Sequence, residues 1–125
     1  ETRGESISRV VSSSGSKVVS RGTIVAASSP ARGHLECRGL ILDDSSMIQA
    51  VPELIGMRRD VDLSHEAAVG KIAEHEIAYL MSRGLSREDA VSTIVRGFLN
   101  VEMLGLPLEL TREMNAFIHK LARAL

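Results

Sequence analysis

Three side chains stand out among those in this sequence whose types bind metals or do nucleophilic chemistry. Cys37 lies in Gly33-His34-Leu35-Glu36-Cys37-Arg38-Gly39-Leu40, and His65 and Glu66 are adjacent in Asp62-Leu63-Ser64-His65-Glu66-Ala67. A thiolate is a soft ligand, and imidazole and carboxylate extend the range toward harder ions. In an extended strand, Leu35, Cys37, Gly39 and Ile41 share one face, while His34, Glu36 and Arg38 share the other. Cys37 therefore reads either as a small buried hydrophobe or as a thiolate ligand or nucleophile with His34 and Arg38 nearby. No nucleophile elbow surrounds it, so a cysteine hydrolase is the poorest of these readings. Adjacent residues on a helix point about 100° apart, so His65 and Glu66 would reach separate partners. A closed zinc site needs about four ligands, and a chain with one cysteine offers no obvious set. His75 and His119 read as ordinary surface or boundary residues.

The elements that must position these residues come in two kinds. From Ser6 to Leu63 the chain reads as short β-runs, Ile7–Val11, Lys17–Val19, Thr23–Ala27, Leu35–Leu42, Met47–Ala50 and Leu54–Met57, with turn chemistry at SSSGS, SSPARG and DDSS. Such a series suits a sandwich, a barrel or a β-solenoid, and stacked aliphatics with few aromatics favour the solenoid. From His65 onward the period becomes helical. Ser64 reads as an N-cap, with Glu66 answering the helix dipole. Glu74 to Ser82 carries the stripe Ile77, Leu80 and Met81 and ends at Gly84. Ser86 caps a helix with Ala90, Val91, Ile94, Val95 and Phe98 on one face. Leu108 to Ala124 places Leu110, Met114, Phe117, Ile118 and Leu121 on another. The expected division is residues 1–63 for the β-region and 64–125 for the helices.

Composition narrows the function classes. The 125 residues are 44% apolar and 25% charged with a net charge of −1, so no broad basic field exists to capture nucleic acid or an anionic membrane. No apolar run approaches the roughly 20 residues of a membrane span, and no signal peptide is visible. A lone cysteine excludes an internal disulfide framework and suits the cytoplasm. No GxxxxGK[ST] occurs, so any ATP chemistry belongs to a partner.

The segments SHEAAVGKI, EIAYLMSRGLSREDA, IVRGF and LPLEL, preceded by GHLECRGLILDDSSMIQAVPEL, resemble the C-terminal region of the SufB/SufD scaffold proteins of iron–sulfur cluster assembly. The resemblance runs from about Ser6 to Leu125. It implies the C-terminal rungs of a right-handed parallel β-helix followed by a small α-helical bundle, in a scaffold that is not itself an enzyme. It implies a transient iron–sulfur cluster at an interface with another SufB/SufD-type chain, as homo- or heterodimer, with Cys37, His65 and Glu66 as ligands. It also implies a SufC-like ABC ATPase docked near Tyr79, Arg83, Gly84 and Leu85. Cys37 together with His65-Glu66 is SufB-like. A SufD-like adaptor, which binds the ATPase without ligating a cluster, is the alternative.

Overall fold

Valine and isoleucine runs, punctuated by serine, glycine and aspartate, fold as five long strands in the computed structural model, which describes residues 1–100 and 105–125. The strands are β1 (Thr2–Ser12), β2 (Lys17–Ala26), β3 (Ala31–Ile41), β4 (Met47–Gly56) and β5 (Val61–Lys71). Two runs that read as broken at Ser20-Arg21-Gly22 and at Pro52 are continuous. Proline is tolerated in β4 because that strand is paired on one side only.

The strands make two parallel sheets, one ordered β1-β3-β5 and the other β2-β4. This corrects the expected right-handed β-helix. Turns of four or five residues carry the chain from one sheet to the other, and among the described residues both sheets stay open, with no solenoid coil closing them. The mixture of β and α stands; the solenoid does not.

Strand β3 is central and its inner face carries the core. Ala31, Gly33, Leu35, Cys37 and Gly39 alternate inward, with Ile48 of β4 and Ala26 of β2 buried as well. The packing demands small residues. A Cβ at Gly33 would come within 2.8 Å of Leu63 and 2.9 Å of Ile24.

The turns are held by serine and aspartate. Asp43 accepts hydrogen bonds from the backbone N–H of Ser14 (2.6 Å), Ser45 (2.9 Å) and Ser46 (2.9 Å) and from the hydroxyls of Ser45 (2.6 Å) and Ser46 (2.9 Å). One carboxylate thus ties the β1–β2 turn to the β3–β4 turn. These bonds favour the charged form, the Ser45 hydroxyl most, and hold Asp43 far below the ordinary carboxylate range against the opposing effect of desolvation.

The expected start of the helices at His65 is also corrected. DLSHEAAVGK is strand β5, paired with β3 from Ala31↔Val61 to Ile41↔Lys71. Ser64 is not an N-cap: its hydroxyl lies 2.9 Å from His34 Nδ1, and the Glu66 carboxylate accepts from Arg38 at 3.2 Å. An eleven-residue ladder along β3 outweighs a helix propensity worth tenths of a kcal/mol per residue.

The chain divides into two compact units, Glu1–Lys71 and Ile72–Leu125. The second holds α1 (Glu74–Ser82), α2 (Arg87–Leu99) and α3 (Leu108–Ala124), packed through Ile77, Ala90, Val95 and Ala122. Ser86 caps α2, accepting from Asp89 N–H at 3.1 Å and donating to its carboxylate at 2.7 Å. Arg87 grips Glu74 through two bonds of 2.9 and 2.7 Å, fixing the start of α1 to the start of α2. Gly84, at φ 96°, closes α1 where an L-residue with a side chain would be strained. Among the described residues no helix is long and apolar enough to cross a membrane.

Two outcomes follow. Asp43 has a folded pKa below its unfolded one, so its stabilisation is complete above about pH 4 and is lost as pH falls toward the folded value. Asp43→Asn should flatten the acid limb of stability measured by circular dichroism between pH 5 and 2, and an unchanged limb would refute the assignment. Gly33→Val should lower the thermal midpoint by the equivalent of about 1–3 kcal/mol through overpacking against Leu63 and Ile24.

Candidate functional site

Strand register distributes the candidate residues over two faces. Cys37 pairs with Ser8 on β1 and Ala67 on β5, and Leu35 pairs with His65. Cys37 and His65 therefore share the inner face on neighbouring strands, two positions apart along the ladder. The Cys37 side is buried, at 6% exposure, whereas His65 on the end strand is exposed. Cys37 lines a small cavity of about 60 Å3 with Ser8, Ser20, Gly22, Leu35 and Pro52. The Ser8 and Ser20 hydroxyls are hydrogen-bonded across the two sheets at 3.1 Å. The thiol thus sits in a narrow, partly polar gap between sheets.

Glu66 lies on the opposite face. It stands directly across from Glu36, and His34 stands across from Ser64. One ligand atom from each of His34, Glu36 and Glu66 falls within 4.8 Å of the others. Two arginines interleave. Arg38 reaches Glu36 at 3.2 Å and Glu66 at 3.2 Å, and Arg9 pairs with Glu36 from β1. The structure therefore separates Cys37 and His65 from Glu66, and moves His34 and Arg38 away from the thiol they seemed to flank in sequence. It groups Glu66 with His34 and Glu36 instead. The alternation of His34, Glu36 and Arg38 along one strand is visible in the sequence. Their meeting with Glu66 is not, because the local sequence around Glu66 favours a helix start.

In the helical unit, Tyr79 is 58% exposed, and the Arg83 guanidinium lies 5.4 Å from its ring centroid with a 3.2 Å bond to its hydroxyl. Gly84 and the half-buried Leu85 complete the turn, through Gly84 N–H to Met81 at 3.0 Å and Leu85 N–H to Leu80 at 3.3 Å. His75, Glu76, Tyr79, Leu80 and Ile94 line a shallow depression of about 570 Å3. His119 bonds Arg96 at 3.0 Å, as a surface residue does.

Residues 1–98 match the family model described as SUF system FeS cluster assembly, SufBD core domain. The chain belongs to the SufBD family of iron–sulfur cluster assembly proteins. Among curated SufBD family proteins it is 54% identical over 116 residues to one from Methanothermobacter thermautotrophicus, covering 90% of this chain and 28% of that protein. It is 50% identical over 124 residues to one from Archaeoglobus fulgidus, covering 99% and 33%. A Pyrococcus horikoshii relative is 41% identical over 116 residues, covering 93% and 26%. The sequence thus spans about a quarter to a third of the length of these SufBD relatives.

Burial of Cys37 sets a chemical expectation. In the native protein its alkylation should be at least about tenfold slower than in denaturant, because reagent must wait for local opening. Equal rates in a stopped-flow thiol assay would place the thiol outside the gap.

Proposed function

We propose that this SufBD chain is part of a cytoplasmic scaffold on which an iron–sulfur cluster is built at a subunit interface, with Cys37 as its thiolate ligand. The observation that carries the reading is the placement of the lone thiol. Cys37 shares the inner face with His65, and His65 stands on β5, the end strand of its sheet. Beyond β5 no strand of the described residues pairs, so its backbone edge can accept a strand of a second SufB/SufD-type chain, identical or not. Thiolates are the preferred ligands of iron–sulfur clusters, with imidazole filling remaining positions in more labile centres. A single thiol within these 125 residues leaves further ligands to come from elsewhere, and a partner chain is the source this reading favours. Glu66, on the other face of the same end strand, would serve as a ligand toward the partner's surface rather than beside Cys37 of its own chain. The cluster is cargo: it is built and passed on.

The second part of the proposal concerns energy supply. Tyr79, Arg83, Gly84 and Leu85 form an exposed turn in which a guanidinium lies close to an aromatic ring. This turn is where a SufC-like ATPase would dock and supply nucleotide hydrolysis. Arg83→Glu should weaken co-purification of that ATPase and leave the strand unit's circular dichroism intact. Unaltered capture would remove the turn from the docking surface.

The burial of Cys37 specifically favours a second reading, a SufD-like adaptor that positions the ATPase without ligating a cluster. Anaerobic reconstitution with iron(II) and sulfide separates the two. Under the scaffold reading Cys37→Ala loses most of the cluster absorption and bound sulfide. Under the adaptor reading the variant keeps both.

A further inference from the structure

We propose that His34, Glu36 and Glu66 form a weak, exchangeable site for a divalent first-row transition-metal ion on the outer face of the β1-β3-β5 sheet. That the ion is iron(II) in transit rests on the assembly reading above; the site itself rests on geometry.

Three donors meet there from two paired strands. Glu36 and Glu66 are register partners and His34 lies two residues before Glu36, so all three project from the same face. Their ligand atoms lie within 4.8 Å of one another, a separation that small side-chain rotations bring to a common ion. One imidazole with two carboxylates suits iron(II) or manganese(II) and lacks the thiolate that would select softer ions. The Ser64 hydroxyl lies 2.9 Å from His34 Nδ1, a contact that orients the ring.

The arginines explain why such a site would release its ion. Arg38 bridges both carboxylates and Arg9 holds Glu36, so two guanidiniums already balance two carboxylates. An entering dication must displace Arg38, whose side chain is 44% exposed and free to swing into solvent, while that of Arg9 is only 18% exposed and stays. Arg38 and the ion thus compete for the same oxygens. A resident metal would be held by carboxylates without such competitors; a site for transit is better served by them. The triad lies on the face opposite Cys37, so loading an ion there does not require opening the gap between sheets.

Manganese(II), followed by electron paramagnetic resonance during titration of the whole protein, is the probe, with iron(II) added anaerobically as competitor. One ion should bind per chain and be displaced by iron(II). His34→Ala should weaken binding roughly tenfold. Arg38→Gln should tighten it about fivefold, the scale of an exposed ion pair, whereas Arg32→Gln, which removes a charge elsewhere on the sheet, should not. His34, Arg38 and Arg32 are all outside the core, and circular dichroism verifies the fold. Affinity unmoved by His34→Ala, or raised equally by Arg32→Gln and Arg38→Gln, overturns the site. Cys37→Ala should leave manganese binding unchanged. Its effect on cluster yield tests the assembly reading separately, so either proposal can fail while the other stands.

Discussion

The in-register pairing of β3 with β1 on one side and β5 on the other decides which residues of this SufBD chain can act together. Side chains alternate along a strand, so a slip by one residue would turn every one of them to the other face. With the register as it is, Cys37, Leu35 and Gly39 face inward, and His34, Glu36 and Arg38 face outward. Neighbouring strands then extend each set sideways. Leu35 extends to His65 within the inner set, and Glu36 to Arg9's strand on one side and Glu66 on the other. Two chemically distinct surfaces arise from one strand.

Those surfaces follow different rules. Inside, the gap between sheets is so narrow that Gly22 and Gly33 sit against Leu35, Ile24 and Leu63, and an added Cβ would approach their methyls to 2.8–2.9 Å. A core of this thickness accepts Ser, Ala, Gly, Cys and aliphatics but leaves little space for rings, which accounts for an aromatic content of only 2%. Outside, charge alternates across strands as Arg9, Glu36, Arg38 and Glu66. The exposed Arg38–Glu66 pair contributes little to stability by itself, whereas the Arg9 and Glu36 side chains are only 18% and 13% exposed. The larger effect of these pairs is to fix where carboxylates point and what must leave before another cation can bind.

Much of the helical unit was legible in the sequence. The Ser86 cap, the Gly84 stop and the apolar face of residues 108–124 are local signals, and they coincide with α2, the end of α1 and α3. The strands were legible in kind but not in length, because Gly22 and Pro52 read as breakers while the pairings of β2 with β4 run through both. β5 was illegible. His65-Glu66-Ala67-Ala68 carries helix-favouring residues after a good cap, and only the free edge of β3, thirty residues earlier in register, makes it a strand. The consequence reaches the site: on a helix Glu66 has no relation to Glu36, whereas on β5 it stands directly across from it. The solenoid expectation failed for a related reason, since few-aromatic, aliphatic strands are equally compatible with two open sheets linked by short turns.

If the proposed scaffold reading holds, the placement of the candidate ligands divides labour between two faces of one sheet. A cluster needs soft donors that are hard to reach, because an exposed thiolate oxidises readily; Cys37 is buried between sheets. Loading needs harder donors that exchange with solvent; Glu66 is open to it, Glu36 is largely covered, and both are already paired with arginine. The strand that belongs to both arrangements is β5, with His65 turned toward the thiol side and Glu66 toward the carboxylate side. Because it is also the end strand, any second chain that pairs along it changes the surroundings of both residues at once. Coupling between ion arrival and chain pairing would then need no long-range pathway, only the alternation of two adjacent side chains on a single strand.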